Sequence, residues 1–180
     1  TGGTVWYRRI QPNGTLTPRR QIASDVGTSV GDRGSVLPLA YLPDTNTVAI
    51  LYRRESGTLW ARRIVDHDRL TDPVQVSDRP VVQNAVDSDQ TGADAIAANG
   101  EVHVLFIEAG SGTIYHTRSD EPGAWTPATM QVDDIAGQWV RGRPLRRGAD
   151  TPSVYGYVYD AGSNGGSGMN WYGEVPLKNR

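Results

Sequence analysis

The chain has 180 residues, and its 18 Lys+Arg against 20 Asp+Glu leave a formal net charge of −2. That balance supplies no field to select nucleic acid or an anionic membrane surface, and the absence of cysteine removes disulfides and thiolate metal sites. No apolar run reaches the length of a membrane span. The opening residues lack a charged segment followed by an apolar one, and a start on Thr1 reads as a processed or excised chain. The single lysine is Lys178, so nearly every cation is an arginine, whose planar fork suits carboxylates and stacking; a GC-rich genome produces the same bias.

In chain order, residues 3–10 alternate and are rich in aromatic and β-branched side chains, which predicts a strand. Gln11-Pro12-Asn13-Gly14 carries an Asn-Gly hairpin signal, so residues 15–22 are expected to return as the next strand. The Gly, Ser and Asp-rich stretch 23–35 reads as a loop. A short apolar strand over 36–42, a turn at Pro43-Asp44-Thr45-Asn46 and a strand over 47–54 follow. Glu55-Ser56-Gly57 then opens a second cycle. It has strands 58–65 and 70–76 about Asp66-His67-Asp68, a polar connection 77–92, and strands 93–98 and 101–108 about Asn99-Gly100. The third cycle has strands 113–119 and 125–132, a connection through Trp139, a poor strand near Leu145, and a strand over 153–159. No segment keeps the 3.6-residue apolar spacing of an amphipathic helix over several turns, so the chain is expected to be all-β.

These cycles are copies of one unit. Gly57-Thr58-Leu59-Trp60-Ala61-Arg62-Arg63 has relatives in Gly3-Thr4-Val5-Trp6-Tyr7-Arg8-Arg9, Gly112-Thr113-Ile114-Tyr115 and, more loosely, Gly168-Met169-Asn170-Trp171. The leading glycines are spaced by about 55 residues. Leu16, Leu70 and Trp125 in Gly14–Pro18, Arg69–Pro73 and Gly123–Pro127 keep the same step, as do Val48–Tyr52, Val102–Phe106 and Val154–Val158. Repeats of approximately 3–56, 57–111 and 112–167, with a partial unit at 168–180, make one domain over residues 1–180. Four short antiparallel strands per unit describe a β-propeller blade. At about 3.3 blades the chain is short of a ring, which a second copy or a companion chain is expected to complete. The rival architecture, a β-sandwich, does not account for the phased landmarks.

Candidate ligand residues follow from the repeat. Trp6, Trp60 and Tyr115 recur at one phase as either sugar-stacking platforms or core rings. Arg8 and Arg62 stand just beyond them as either hydroxyl donors or solvated strand ends. Residues that break the pattern draw the eye more: His103 stands where Ala49 does, His116 where Ala61 does, Glu108 where Arg54 does, and Trp139 lies in a connection. Asp66-His67-Asp68 and Asp87-Ser88-Asp89 lack the Gly and Glu that complete a calcium loop, and the three histidines form no recognisable triad, so no metal and no cofactor are expected.

Glu101-Val102-His103-Val104-Leu105-Phe106-Ile107, followed by Gly112-Thr113-Ile114-Tyr115 and Gly123-Ala124-Trp125, resembles the blades of fucose-specific propeller lectins. That family's sugar site uses a strand arginine, a glutamate on the next strand and an aromatic. The resemblance puts the arginine position on His103 or Ala49, and the glutamate position on His116, Thr117 or Arg62. Ser119–Trp125 is similar to a sialidase Asp-box, one residue shorter between Ser and Trp. The expectation is a carbohydrate-binding, lectin-like protein with a glycan ligand, secreted or extracellular and otherwise cytoplasmic; the alternative is part of a propeller enzyme, a glycoside hydrolase or polysaccharide lyase.

Overall fold

The computed structural model describes residues 3–27, 37–66, 68–82, 92–119, 123–133, 139–148, 151–160 and 170–178. Arg33, His67, Asp87, Asp89 and the Gly168-Met169 start of the last landmark lie outside them. The described residues form fourteen strands in four antiparallel sheets, and the chain is all-β as its patterning predicts. The first sheet pairs β1 (Gly3–Tyr7) with β2 (Arg20–Val26). The second runs β3 (Leu39–Leu42), β4 (Thr47–Arg53) and β5 (Thr58–Val65), with β6 (Arg69–Leu70) and β7 (Val74–Pro80) both paired to β5. The third orders β8 (Ala93–Ala98), β9 (Glu101–Ile107), β10 (Ile114–Ser119) and β11 (Thr129–Val132). The fourth joins β12 (Val140–Leu145), β13 (Val154–Asp160) and β14 (Asn170–Pro176). Among the described residues no helix is long and apolar enough to cross a membrane.

The repeat is physical. Where the third strand of a unit hands over to the fourth, a threonine clamps an arginine backbone in the same way three times. Thr17, Thr71 and Thr126 each donate their backbone N–H to the carbonyl of Arg9, Arg63 and Arg118, at 2.9 Å in every case. Each threonine Oγ1 in turn accepts the N–H of that arginine, at 3.0, 2.9 and 3.1 Å. The clamp satisfies both backbone groups of the arginine at a point where the ladder ends. Thr and Pro thus recur in the sequence for a reason: the hydroxyl replaces a strand partner, and the proline forbids the chain from resuming the ladder at once.

The clamp also explains where the strands differ from expectation. The Asn13-Gly14 hairpin forms, with Gly14 in the left-handed region at φ +82° and its N–H donated to Gln11 O. Beyond it only a single Ile10–Leu16 bridge closes, and β2 starts at Arg20 and continues through Val26, into the stretch read as loop. Pro18 breaks the return, while Ile22, Ala23 and Val26 are buried. In the second sheet the expected strand 70–76 splits around Pro73 into the short β6 and the later β7. The poor strand near Leu145 is β12, tolerated with Pro144 because β12 pairs only with β13 and lies at a sheet edge.

The sheets stack face to face in chain order. Tyr7, Ile22 and Val26 of the first sheet meet Ile50, Tyr52 and Ile64 of the second. The opposite face of the second, with Ala49, Leu51, Leu59 and Ala61, meets Val102, Val104 and Phe106 of the third. Leu105, Ile107 and Ile114 of the third then meet Tyr155, Tyr157 and Val175 of the fourth. Residues of alternate parity in β4 and β9 enter different clusters, so these inner strands are buried on both faces and read as continuous apolar runs. The first strands of successive sheets are also neighbours, β3 beside β8 and β8 beside β12. Polar ties reinforce each junction: Arg62 donates to Ile22 O at 2.9 Å, Arg63 to Ser119 Oγ at 2.9 Å, and Gly142 N–H and Tyr155 OH both donate to Asp94 Oδ2, at 2.6 and 3.0 Å.

Candidate functional site

The face of the third sheet that meets the fourth is apolar for most of its length and turns polar at one end. Strand alternation puts Glu101, His103, Leu105 and Ile107 of β9 on that face, and the β9–β10 register, with His103 opposite Arg118, adds Ile114, His116 and Arg118. The apolar members fill the inter-sheet core. The polar members gather at the end carrying the Asn99-Gly100 turn and the β10–β11 connection.

There His103 Nδ1 lies 3.2 Å from His116 Nε2, both rings are buried, and they stack at 13° with centroids 5.4 Å apart. One hydrogen joins the two nitrogens, which requires at least one ring to be neutral. Burial depresses both imidazoles to about 4, and Arg118 opposes a positive charge on each. His103 Nε2 sits 3.4 Å from Glu101 Oε2, and neither atom has a hydrogen-bond partner. The other Glu101 oxygen is bonded to Arg118 Nη1. The cluster is a neutral imidazole pair backed by a buried carboxylate and fronted by a guanidinium that is 29 % exposed.

Three hollows surround it. The largest, about 530 Å³, is bordered by His103, His116, Arg118, Thr129, Gln131 and Lys178. A smaller one of about 160 Å³ lies between Glu101, Arg118 and Trp125, and a third of about 430 Å³ sits on the other side of Trp125 against Gln75, Ser77 and Asp78. The ridge between them, Trp125–Pro127, is held by the Thr126 clamp and by the Thr117 hydroxyl donating to Thr126 O at 2.6 Å. Corresponding positions of the second sheet hold Thr47, Ala49, Ala61, Arg63 and Leu70, and there Arg63 is buried. The site therefore belongs to one unit of the repeat.

The structure sorts the residues expected from sequence. His103 and His116 come together. Glu108 and Tyr115 meet through Arg79, which bonds Glu108 Oε1 at 2.7 Å and lies 4.2 Å over the Tyr115 ring; Arg79 and Ser111 hold the Glu108 carboxyl below its usual range, Ser111 most. Trp60 is half-buried beneath Arg54 at 3.4 Å, and exposed Trp6 lies under Arg19 at 4.6 Å, so three of the recurring aromatics carry a guanidinium on one face. Arg62 is committed to Thr71 O and Ile22 O. Arg8 is exposed beyond β1 and Trp139 is half-buried before β12, and neither borders the hollow beside the imidazole pair. Sequence reasoning left Glu101, Arg118 and Trp125 out of the site. The usable signal was the hairpin register about Glu101–Ser119, which puts the first two on the histidine face, and the Leu-Leu-Trp series at 16, 70 and 125.

Among the described residues no group of three or more His, Asp or Glu side chains is placed to hold a metal ion. No known family model matches the chain, and no curated protein matches it.

Proposed function

We propose that this chain is part of a carbohydrate-binding β-propeller and that the sugar site lies at the Glu101–Arg118–Trp125 hollow. The observation that carries the reading is the meeting of these three side chains around one cavity. A sugar ring presents hydroxyls at its rim and C–H groups on its faces. The guanidinium donates to hydroxyl oxygens, the Glu101 carboxylate holds that guanidinium through Oε1, and the indole covers a C–H face. The adjoining 530 Å³ hollow has the size of a small-molecule site. The propeller reading is supported by antiparallel sheets of two, five, four and three strands stacked in chain order, with the first strands of the last three adjacent. Further blades, on a second copy or a companion chain, would cover the outer faces that leave Trp6 and Tyr172 about half exposed.

A glycan array followed by calorimetry on the best ligand tests the assignment. Trp125→Ala and Arg118→Lys should each weaken binding at least about tenfold, the scale of one lost charge-assisted hydrogen bond or aromatic contact. An array without any binder would count against it. The second reading, a glycan-acting enzyme, rests on the two neutral imidazoles at the wall of the larger hollow, beside Glu101. It requires turnover of a polysaccharide that is lost in His116→Gln; a screen without turnover removes it.

A further inference from the structure

Resting on the sugar-binding reading, we infer that the ligand is an acidic glycan, with its carboxylate-bearing residue seated in the 530 Å³ hollow between the third and fourth sheets. The charges at this hollow are unlike those at its neighbour across the ridge. Arg118 and Lys178 border it, and among the described residues no carboxylate does. The hollow beyond Trp125 has Asp78 on its wall instead. Glu101, behind the histidines, neutralises one of the two cations through its bond to Arg118, which leaves one net positive charge facing the cavity. The histidines add none near neutral pH, because burial keeps both neutral.

The remaining wall groups suit a carboxylate and its flanking hydroxyls. Arg118 has five N–H donors and the Glu101 bond uses Nη1. The Gln131 amide and the Thr129 hydroxyl lie on the same wall. Lys178 is held in place by its backbone: Asn99 Nδ2 donates to Lys178 O at 3.0 Å and to Pro152 O at 3.0 Å, fixing the end of the fourth sheet against the β8–β9 turn. Its side chain therefore starts from a fixed point at the edge of the cavity.

The experiment compares trigalacturonate and sialyllactose, each beside its carboxyl-reduced derivative, by calorimetry at low and high salt, on the full chain and on Lys178→Gln. Lys178 is exposed, so the variant is expected to fold. At least one acid should bind about tenfold or more tightly than its reduced form, with the preference shrinking in salt and in Lys178→Gln. Equal affinity of acid and reduced forms, or a preference untouched by Lys178→Gln, overturns the acidic assignment and leaves sugar binding standing. Failure of all four compounds overturns the acidic assignment, and an empty glycan array beside it overturns the sugar-binding reading as well.

Discussion

His103 and His116 replace Ala49 and Ala61 of the preceding unit, and that exchange has a thermodynamic signature. Each imidazole is ordinary in the unfolded chain, near 6.5, and is pushed to about 4 in the fold, chiefly by burial. Between those values the unfolded state binds more protons, so the stability held above about pH 6.5 is lost as pH falls toward about 4. For two such groups the loss is on the order of a few kcal/mol, or roughly 10 °C in Tm for a chain of this size. His103→Ala/His116→Ala, which copies the second sheet, should flatten that part of the Tm-against-pH curve. An unchanged slope would show that the acid sensitivity lies in other groups. The two histidines were visible in the sequence as breaks in a pattern. Their partners were not, because Glu101 and Arg118 come from different strands and meet only through the cross-strand register.

At the level of elements, the threonine clamp turns a sequence landmark into an energetic one. In Thr71→Val the side chain keeps its shape but can no longer accept the N–H of Arg63, a buried residue whose guanidinium also ties β5 to Ser119. Leaving that N–H unsatisfied should cost about 1–3 kcal/mol, measured as a lower urea midpoint with unchanged slope. Thr17→Val should cost less, since Arg9 is half-buried where Arg63 is buried, and water can replace the bond. Equal midpoints for Thr71→Val and the parent would mean that the clamp follows the fold without stabilising it. The central strands were legible because burial on both faces gives β4 and β9 unbroken apolar runs. The fourth strands were displaced because Arg20–Val26 and Val74–Pro80 pair through bulges and carry Ala, Ser, Asp and Gln among few apolar residues. Their place is set by contact with the neighbouring sheet, which no local pattern encodes.

For the whole molecule, the distribution of exposed apolar side chains bears on how the stack ends. Among the described residues, the second and third sheets have both faces covered, whereas the first and fourth have one. On β13 and β14, Tyr157, Tyr159 and Val175 point to the third sheet, so by alternation Val158 and Tyr172 point away; they are 41 % and 53 % exposed. Trp6, 46 % exposed, does the same on β1, whose Val5 and Tyr7 face the second sheet. Joining the outer face of one copy's fourth sheet to the outer face of another's first buries both patches in one contact, and repeating the operation closes a ring if the rotation allows it. Sedimentation velocity on the purified chain should then show a species of about twice 19.6 kDa at micromolar concentration. Val158→Lys, which puts a charge at the centre of the joint without touching the inter-sheet core, should return it to the single-chain mass while leaving Tm nearly unchanged. A lone 19.6 kDa species at every concentration rejects closure by copies and leaves a companion chain as the partner the propeller reading requires.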